Sequence, residues 1–227
     1  MEFNRTDLFY NLIYVPNDSI ISRARNTLIS EFYAIRDRFT HLLFLDADCY
    51  LPADGIIKML SYDLDVISPI FPIKTTHTST NNPNKLSQTS INIIPGEVAS
   101  MTPGSKLIEV SGIGTAGLMI SKKAVVSLVE DAIKDHRTYK LPGTNIVRFD
   151  VFGVGVIDGN YVGEDHWVCR KLRKLGYRIF VDPTIPTRHS GAFDWTHSGV
   201  GDYRIENRGD YKVVLHSDRQ TPPERKK

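Results

Sequence analysis

An apolar run that ends in two acidic residues constrains this chain more than any other stretch. The four apolar residues 42–45 are followed by Asp46 and Asp48, with one residue between the two carboxylates. A continuous apolar run closed by polar residues is typical of a strand buried on both faces. Alternate residues of a strand point the same way, so both carboxylates are expected to project together and to attract a hard divalent cation. The alternative is an acidic turn without a ligand, which Pro52 and Gly55 also favour.

The composition favours neither a nucleic-acid-binding protein nor a membrane protein. The net charge is +2, no apolar run approaches the length of a membrane span, and the N-terminus lacks the apolar centre of a signal peptide. Cys49 and Cys169 are too few for a disulfide framework. We therefore expect both to be reduced core thiols in a cytoplasmic protein.

The order of strands and helices predicts an α/β fold. Apolar runs predict strands over residues 12–15, 42–46, 65–71, 106–110, 147–151 and 177–181. Apolar residues at helical spacing predict helices over residues 21–35, 52–60, 122–134 and 164–175. Strand–helix–strand units are expected to pair in parallel through right-handed crossovers. We therefore predict one domain over residues 1–217, with a mostly parallel sheet flanked by helices, and a disordered tail or linker over residues 218–227.

A polar segment interrupts this alternation. Residues 75–90 are nearly all Thr, Ser, Asn, Pro and Lys, which is typical of a mobile loop or of a lid that closes over a ligand and excludes water. Gly112, Gly114 and Gly117 come after the next predicted strand. We expect them to let the backbone approach a ligand or another strand closely.

A second acidic pair lies far along the chain from the first. Glu164 and Asp165 open a predicted helix, where acidic side chains also serve simply to complement the helix dipole. His189 follows in a segment, residues 188–191, that we expect to be a loop. Because ligands of open α/β sheets gather at the carboxyl ends of the strands, these residues are candidates for a ligand site.

Three segments in this order resemble the GT-A family of nucleotide-sugar-dependent glycosyltransferases. The first is similar to small viral and bacterial members and to the Anp1/Mnn9 mannosyltransferases, the second to an acceptor-side strand, and the third to a catalytic helix and closing strand. These segments are Ser22 to Leu28 with Thr40 to Asp48, Gly114 to Ser121, and Gly163 to His189. The resemblance implies a GT-A, Rossmann-like sheet. The chain begins about ten residues before what resembles the second strand, so we expect the first strand to be missing or replaced by another segment.

The resemblance implies an enzyme that moves a hexose or deoxyhexose from a UDP- or GDP-linked donor to a saccharide hydroxyl. Mn²⁺ or Mg²⁺ is expected to neutralise the diphosphate leaving group. The implied metal ligands are Asp48 and Asp46, with His189 as a nitrogen ligand that would favour Mn²⁺. Asp46 is alternatively a contact to the donor's ribose.

The resemblance also assigns the proton transfer. Asp165 is the expected general base, which takes the proton of the acceptor hydroxyl as the oxygen attacks the anomeric carbon with inversion. Glu164 is expected to bind the acceptor or to exchange roles with Asp165.

Several basic and amide side chains are candidates for donor contacts. Arg23, Arg25 and Asn26 are expected to reach the phosphate or the base, and the alternative is a solvated or salt-bridged helix face. Lys74 is a further candidate, because it directly precedes the polar segment.

Three other functions stay open at this point. A retaining transferase is the near alternative, because the Anp1/Mnn9 likeness favours it. A non-catalytic nucleotide- or sugar-binding module is favoured by the absence of the first strand. A nucleotidyltransferase would also place paired Asp residues on metals, but the chain has no Gly-rich phosphate loop and no evident basic groove.

Overall fold

Four helices and a set of short strands make up the part of the chain that the computed structural model describes, which is residues 8–16, 18–74, 88–93, 107–141, 143–191, 194–197, 203–208 and 211–216. The helices are α1 (Ile21–Ile35), α2 (Ala53–Ser61), α3 (Lys122–Lys134) and α4 (Glu164–Lys174), and a 3-10 turn, Arg36–Arg38, follows α1. The strands are β1 (His41–Leu43), β2 (Cys49–Tyr50), β3 (Val66–Pro69), β4 (Gln88–Ile93), β5 (Ile108–Val110), β6 (Gly112–Ile113), β7 (Met119–Ser121), β8 (Thr138–Lys140), β9 (Val147–Phe149), β10 (Gly155–Ile157), β11 (Asn160–Val162), β12 (Ile179–Asp182), β13 (Thr187–Ser190), β14 (Asp194–His197), β15 (Tyr203–Arg208) and β16 (Tyr211–His216). The chain is thus mixed α/β, as predicted.

The chain divides into two units, each built from two separate segments. Unit 1 comprises Met1–Leu42 and Ile120–Tyr177, and unit 2 comprises Leu43–Met119 and Arg178–Lys227. The division passes through β1 and β7, so the chain runs from unit 1 into unit 2, back into unit 1 and again into unit 2.

In unit 1, helices α1, α3 and α4 each bury one apolar face. Phe32 of α1, Leu128 of α3 and Leu172 of α4 lie on these faces and are buried. The helical spacing that predicted α1 and α3 therefore gave the correct bounds. α4 ends before Gly176, whose φ of +89° is the left-handed conformation typical of the residue after a helix. Two antiparallel hairpins, β8–β9 and β10–β11, belong to the same unit.

Unit 2 contains most of a five-stranded sheet with the strand order β1-β7-β3-β12-β5. Strand β12 pairs in parallel with β3 on one side and antiparallel with β5 on the other. The core of unit 2 is apolar and includes Met59 of α2, Ile67 of β3 and Phe180 of β12. The same unit holds a three-stranded sheet, β14-β13-β2, and a four-stranded sheet, β15-β16-β4-β6, whose described ladders are all antiparallel.

The prediction of a mostly parallel sheet is wrong. Among the ladders with a described register, only β3–β12 is parallel. Crossovers make strands parallel when the two strands they connect are neighbours. In the five-stranded sheet no neighbours are consecutive along the chain, since β7 lies between β1 and β3 and β12 lies between β3 and β5.

Two local predictions also differ from the structure. Residues 12–15 form no strand, because no described strand pairs with this short segment. The side chain of Leu12 is 84% exposed. Residues 188–191 were expected to be a loop, but residues up to Ser190 form β13, which pairs with β2 and β14. A polar sequence is therefore held extended by backbone partners on both sides.

Two predicted segments fall largely or wholly outside the described residues. Of the expected lid, residues 75–87 lie outside them, and residues 88–90 belong to strand β4 rather than to a loop. The expected tail, residues 218–227, also lies outside them. No helix in the described part of the chain is long and apolar enough to cross a membrane.

Candidate functional site

In unit 2, the two acidic residues that follow β1 lie on a tight turn. Beyond the strand, Phe44 N donates to Leu118 O at 2.9 Å and Asp46 N donates to Ala116 O at 3.2 Å. Cys49 N then donates back to Asp46 O at 3.0 Å, which closes a turn over residues 46–49. The segment is paired as far as Asp46, but the prediction of burial on both faces is wrong, because Phe44 is the only buried residue of 42–45 and Leu45 is 47% exposed. The two carboxylates are therefore positioned by a turn and not by the alternation of a strand.

Asp48 is paired with a cation from its own unit. Lys74 Nζ donates to Asp48 Oδ2 in an ion pair, and the Asp48 side chain stays 48% exposed. Burial raises the pKa of the Asp48 carboxyl, but the hydrogen bond from Lys74 and the positive charge of Lys74 outweigh it, so the pKa lies below its ordinary value. Lys74 thus lies where a cation would bind this carboxylate.

His189 is held in an orientation that suits a metal ligand. Its Nδ1 lies 2.9 Å from Pro72 O, and a carbonyl oxygen only accepts, so Nδ1 carries the proton. In the neutral ring, the lone pair is then on Nε2, which lies 3.5 Å from Asp48 Oδ2. A hydrogen bond from the other ring nitrogen to a backbone carbonyl is the usual arrangement of a metal-binding histidine. The structure therefore brings Asp48 and His189 together.

Cys49 belongs to the same group, which the sequence reasoning missed. Ligand atoms of Asp48, Cys49 and His189 all lie within 4.8 Å of one another. The thiol is half-buried, and Sγ donates weakly to Asp48 Oδ1 at 3.8 Å. Burial and the negative charges of Asp48 and Asp46 raise the pKa of the thiol to about 12. The signal that could have found it is its place directly after Asp48.

This donor set fits a divalent cation. A carboxylate oxygen and an imidazole nitrogen 3.5 Å apart are spaced like two ligands of one ion. Asp46 is not part of the group of mutually close ligand atoms found among the described residues. Asp48 and His189 are therefore the predicted ligands that the structure places together.

In unit 1, the second acidic pair begins α4, with Gly163 as the N-cap. Arg25 of α1 contacts both carboxylates, because its Nη1 lies 2.5 Å from Glu164 Oε1 and 2.5 Å from Asp165 Oδ1. The guanidinium side chain is 5% exposed, whereas that of Asp165 is 32% exposed and that of Glu164 is 17% exposed. Asp165 is thus the more accessible of the two carboxylates, and both are fixed by one buried cation.

The other candidate donor contacts on α1 have partners inside unit 1. Asn26 Nδ2 donates to Asp150 Oδ1 at 2.9 Å, and its Oδ1 accepts from the backbone N–H groups of Val151 and Phe152. Arg23 donates to Asp18 through Nε and Nη2, with distances of 2.8–3.1 Å. Arg23 and Arg25 were candidates either for contacts to the donor or for salt bridges on a helix face. In this structure both form salt bridges.

Comparison with known proteins adds little to this geometry. No family model matches the sequence, and no curated protein matches it. The crystal structure of A197 from STIV aligns with a TM-score of 0.46 and 13% sequence identity, over 88% of this chain and 78% of that chain. A likeness of this size carries no argument about fold or function.

Proposed function

We propose that the protein is a metal-dependent glycosyltransferase of GT-A type that moves a sugar from a UDP- or GDP-linked donor to a saccharide hydroxyl. The observation that carries the proposal is the pairing of Asp48 Oδ2 with His189 Nε2 at 3.5 Å, with Nδ1 of the histidine bound to Pro72 O. This pair would hold Mn²⁺ or Mg²⁺, and the cation would supply charge neutralisation for a diphosphate.

Donor binding requires a change at Asp48. The Lys74 ammonium now neutralises this carboxylate, so a bound cation would displace it. The released ammonium is then available to a phosphate oxygen of the donor, which is the contact predicted for Lys74. The Lys74 side chain would therefore first neutralise the Asp48 carboxylate and then bind the donor.

Asp165 supplies the base in this proposal. Its carboxylate lies in the first turn of α4 and is partly exposed, so an acceptor hydroxyl can approach it. It would take the hydroxyl proton as the oxygen attacks the anomeric carbon, and the donor's diphosphate would leave with inversion. Arg25 would hold the carboxylate in place, and Glu164 would share that cation.

Asp165→Asn tests this assignment. Loss of a general base is expected to lower the turnover of a nucleotide-sugar donor by about 10²–10⁴-fold. Donor binding, measured by calorimetry with Mn²⁺, is expected to stay unchanged. The matched control is Glu130→Gln on the exposed surface of α3, which removes one acidic charge from the same unit and should leave transfer intact. Full activity of Asp165→Asn would overturn the assignment, and the anomeric configuration of the product, measured by NMR, would show whether the enzyme is retaining instead.

A non-catalytic nucleotide- or sugar-binding module is the second candidate. It is favoured by the ion pairs of Arg25 with Glu164 and Asp165, because carboxylates that share a buried guanidinium also occur as purely structural groups. Metal-dependent binding of UDP or GDP without turnover of any nucleotide sugar would support the module and exclude the enzyme.

A further inference from the structure

A cysteine thiol lies in the cation site that the proposed function assigns to Asp48 and His189. Strands β2 and β13 are antiparallel, and Cys49 is directly opposite His189 in their register. Side chains of residues directly opposite in an antiparallel pair lie on the same face of the sheet and about 5 Å apart at Cβ. Ser190 N also donates to Asp48 O at 2.7 Å, which ties the end of β13 to the residue before Cys49. The backbone therefore fixes all three side chains at one end of this ladder.

We propose that Asp48, Cys49 and His189 together form a site for a borderline-soft divalent cation, such as Zn²⁺ or Co²⁺. One carboxylate oxygen, one thiolate sulfur and one imidazole nitrogen are all ligand types that Zn²⁺ takes, and three protein ligands leave one position open for water or a phosphate oxygen. The inference rests on the proposed function in that both use Asp48 and His189, and it replaces Mn²⁺ or Mg²⁺ by Zn²⁺ or Co²⁺ as the preferred cation.

The distances between the donor atoms support three ligands on one ion. Asp48 Oδ2 and His189 Nε2 lie 3.5 Å apart, Cys49 Sγ lies 3.8 Å from Asp48 Oδ1, and all three residues offer atoms within 4.8 Å of one another. Ligands at about 2.0–2.3 Å from a tetrahedral ion are separated by distances of this order. A bound ion would take the place that the Lys74 ammonium now has at Asp48 Oδ2.

The thiol changes which cation the site prefers. Mg²⁺ is a hard ion that seeks oxygen ligands, and it gains nothing from sulfur. Zn²⁺ and Co²⁺ accept thiolate and imidazole, and both bind nitrogen and sulfur sites more tightly than Mn²⁺ does. Metal binding would replace the thiol proton, which now points to Asp48, and release it to solvent. The site is therefore expected to rank Zn²⁺ and Co²⁺ above Mn²⁺ and Mg²⁺.

Titration of the full chain with Co²⁺ tests the inference without any sugar donor. Thiolate coordination gives a sulfur-to-cobalt charge-transfer absorption in the near ultraviolet, which oxygen and nitrogen ligands alone do not give. We expect this absorption in the wild-type protein and its loss in Cys49→Ser. Calorimetry should show Zn²⁺ binding to Cys49→Ser weakened by at least about tenfold, since removing even an outer-shell partner typically costs that much.

The second cysteine provides a matched control. Cys169 lies buried in α4, in the other unit, so Cys169→Ala should keep the cobalt absorption. His189→Gln should weaken Zn²⁺ binding while leaving both thiols in place, which covers the case of a cysteine variant that does not fold. Absence of the charge-transfer absorption in wild-type protein, or its persistence in Cys49→Ser, would overturn the inference. Neither result would bear on Asp165, whereas a protein with the cobalt absorption but no transfer of any sugar would contradict the proposed function alone.

Discussion

Asp182 of β12 shows how single side chains in this protein depend on their partners. Its side chain is fully buried, and it accepts hydrogen bonds from Tyr62 Oη at 2.9 Å and from Thr184 N at 2.9 Å. Its Oδ2 also forms an ion pair with Lys58 Nζ at 2.8 Å. Burial raises the pKa of this carboxyl, but the hydrogen bonds from Lys58, Thr184 and Tyr62 outweigh it, so the pKa lies below its ordinary value of 3.8. The ionised carboxylate therefore stabilises the folded state.

Asp182→Asn is expected to destabilise the protein at neutral pH by about 2 kcal/mol, because charge-assisted hydrogen bonds are lost. A lowered folded-state pKa contributes stability that is fully present above the unfolded-state value and is lost as the pH falls through the folded-state value. The difference between wild type and Asp182→Asn should therefore shrink below pH 3.8, as measured by urea unfolding at several pH values. Asp63→Asn, an exposed change in the same unit, should show no such difference. If the difference in unfolding free energy between wild type and Asp182→Asn stayed the same at low pH, the ionised Asp182 carboxylate would not be the group that stabilises the folded state.

Lys74 gives a second prediction at the residue scale. Because its ammonium occupies Asp48 Oδ2, Lys74→Met should strengthen the binding of Mg²⁺ or Mn²⁺ in the absence of a donor. Partly exposed ion pairs are worth up to about 1 kcal/mol, so the gain should reach about fivefold. Calorimetry with the metal alone measures it. Weaker binding in Lys74→Met would show that the ammonium supports the site and does not compete for it.

At the scale of elements, helix α4 is fitted closely to the chain that precedes it. A Cβ on Gly153 would lie 2.7 Å from Trp167 Cε2 and 2.9 Å from Trp167 Nε1. The indole therefore packs directly on the glycine backbone, two residues after the Asp165 carboxylate in α4. The position of the acidic pair thus depends on a residue outside the helix.

Gly153→Ala should destabilise unit 1 by about 1–3 kcal/mol, because the rigid indole must move to admit a methyl group. Gly155→Ala is the matched control, since a Cβ there would make only an ordinary contact, 3.5 Å from Trp167 Cζ3, and a change within about 0.5 kcal/mol is expected. Thermal unfolding measures both variants. Equal stability of the two would contradict the close fit of Trp167.

Strand β13 shows what local patterns miss at this scale. The polar segment Arg188 to Gly191 gave no apolar alternation and was expected to be a loop, yet its backbone pairs with β2 and β14. Gly117 shows the opposite case, because the close approach predicted for it is present: a Cβ there would lie 2.5 Å from the ring of Phe71 and 3.2 Å from Cδ of Pro69 in β3. Glycine makes a close approach visible in the sequence, but the partner that approaches is set by the fold.

For the whole molecule, ligand-induced stabilisation tests the proposed donor class. UDP or GDP with Mn²⁺, at about one hundred times its Kd, should stabilise the folded chain by about 2.7 kcal/mol. In a chain of 227 residues this corresponds to an increase in Tm of roughly 5–11 °C. Asp48→Asn should abolish the increase, and Asp165→Asn should retain it. An equal increase in Tm for Asp48→Asn and wild type would show that the cation site takes no part in donor binding.

Local patterns in the sequence were enough to predict the helices and the acidic residues at the ends of elements. Helical periodicity and the glycine at position 176 are local signals, and they placed α1, α3 and α4 correctly. The partners of the side chains depend on how the chain folds: Cys49 lies beside His189, and Arg25 contacts Glu164 and Asp165, in each case more than 100 residues away. The fold also decided the strand directions, which made the sheet mostly antiparallel. The physical reason is that periodicity and capping act within a few residues, whereas strand pairing and ion pairing join distant residues whose meeting depends on how the whole chain packs.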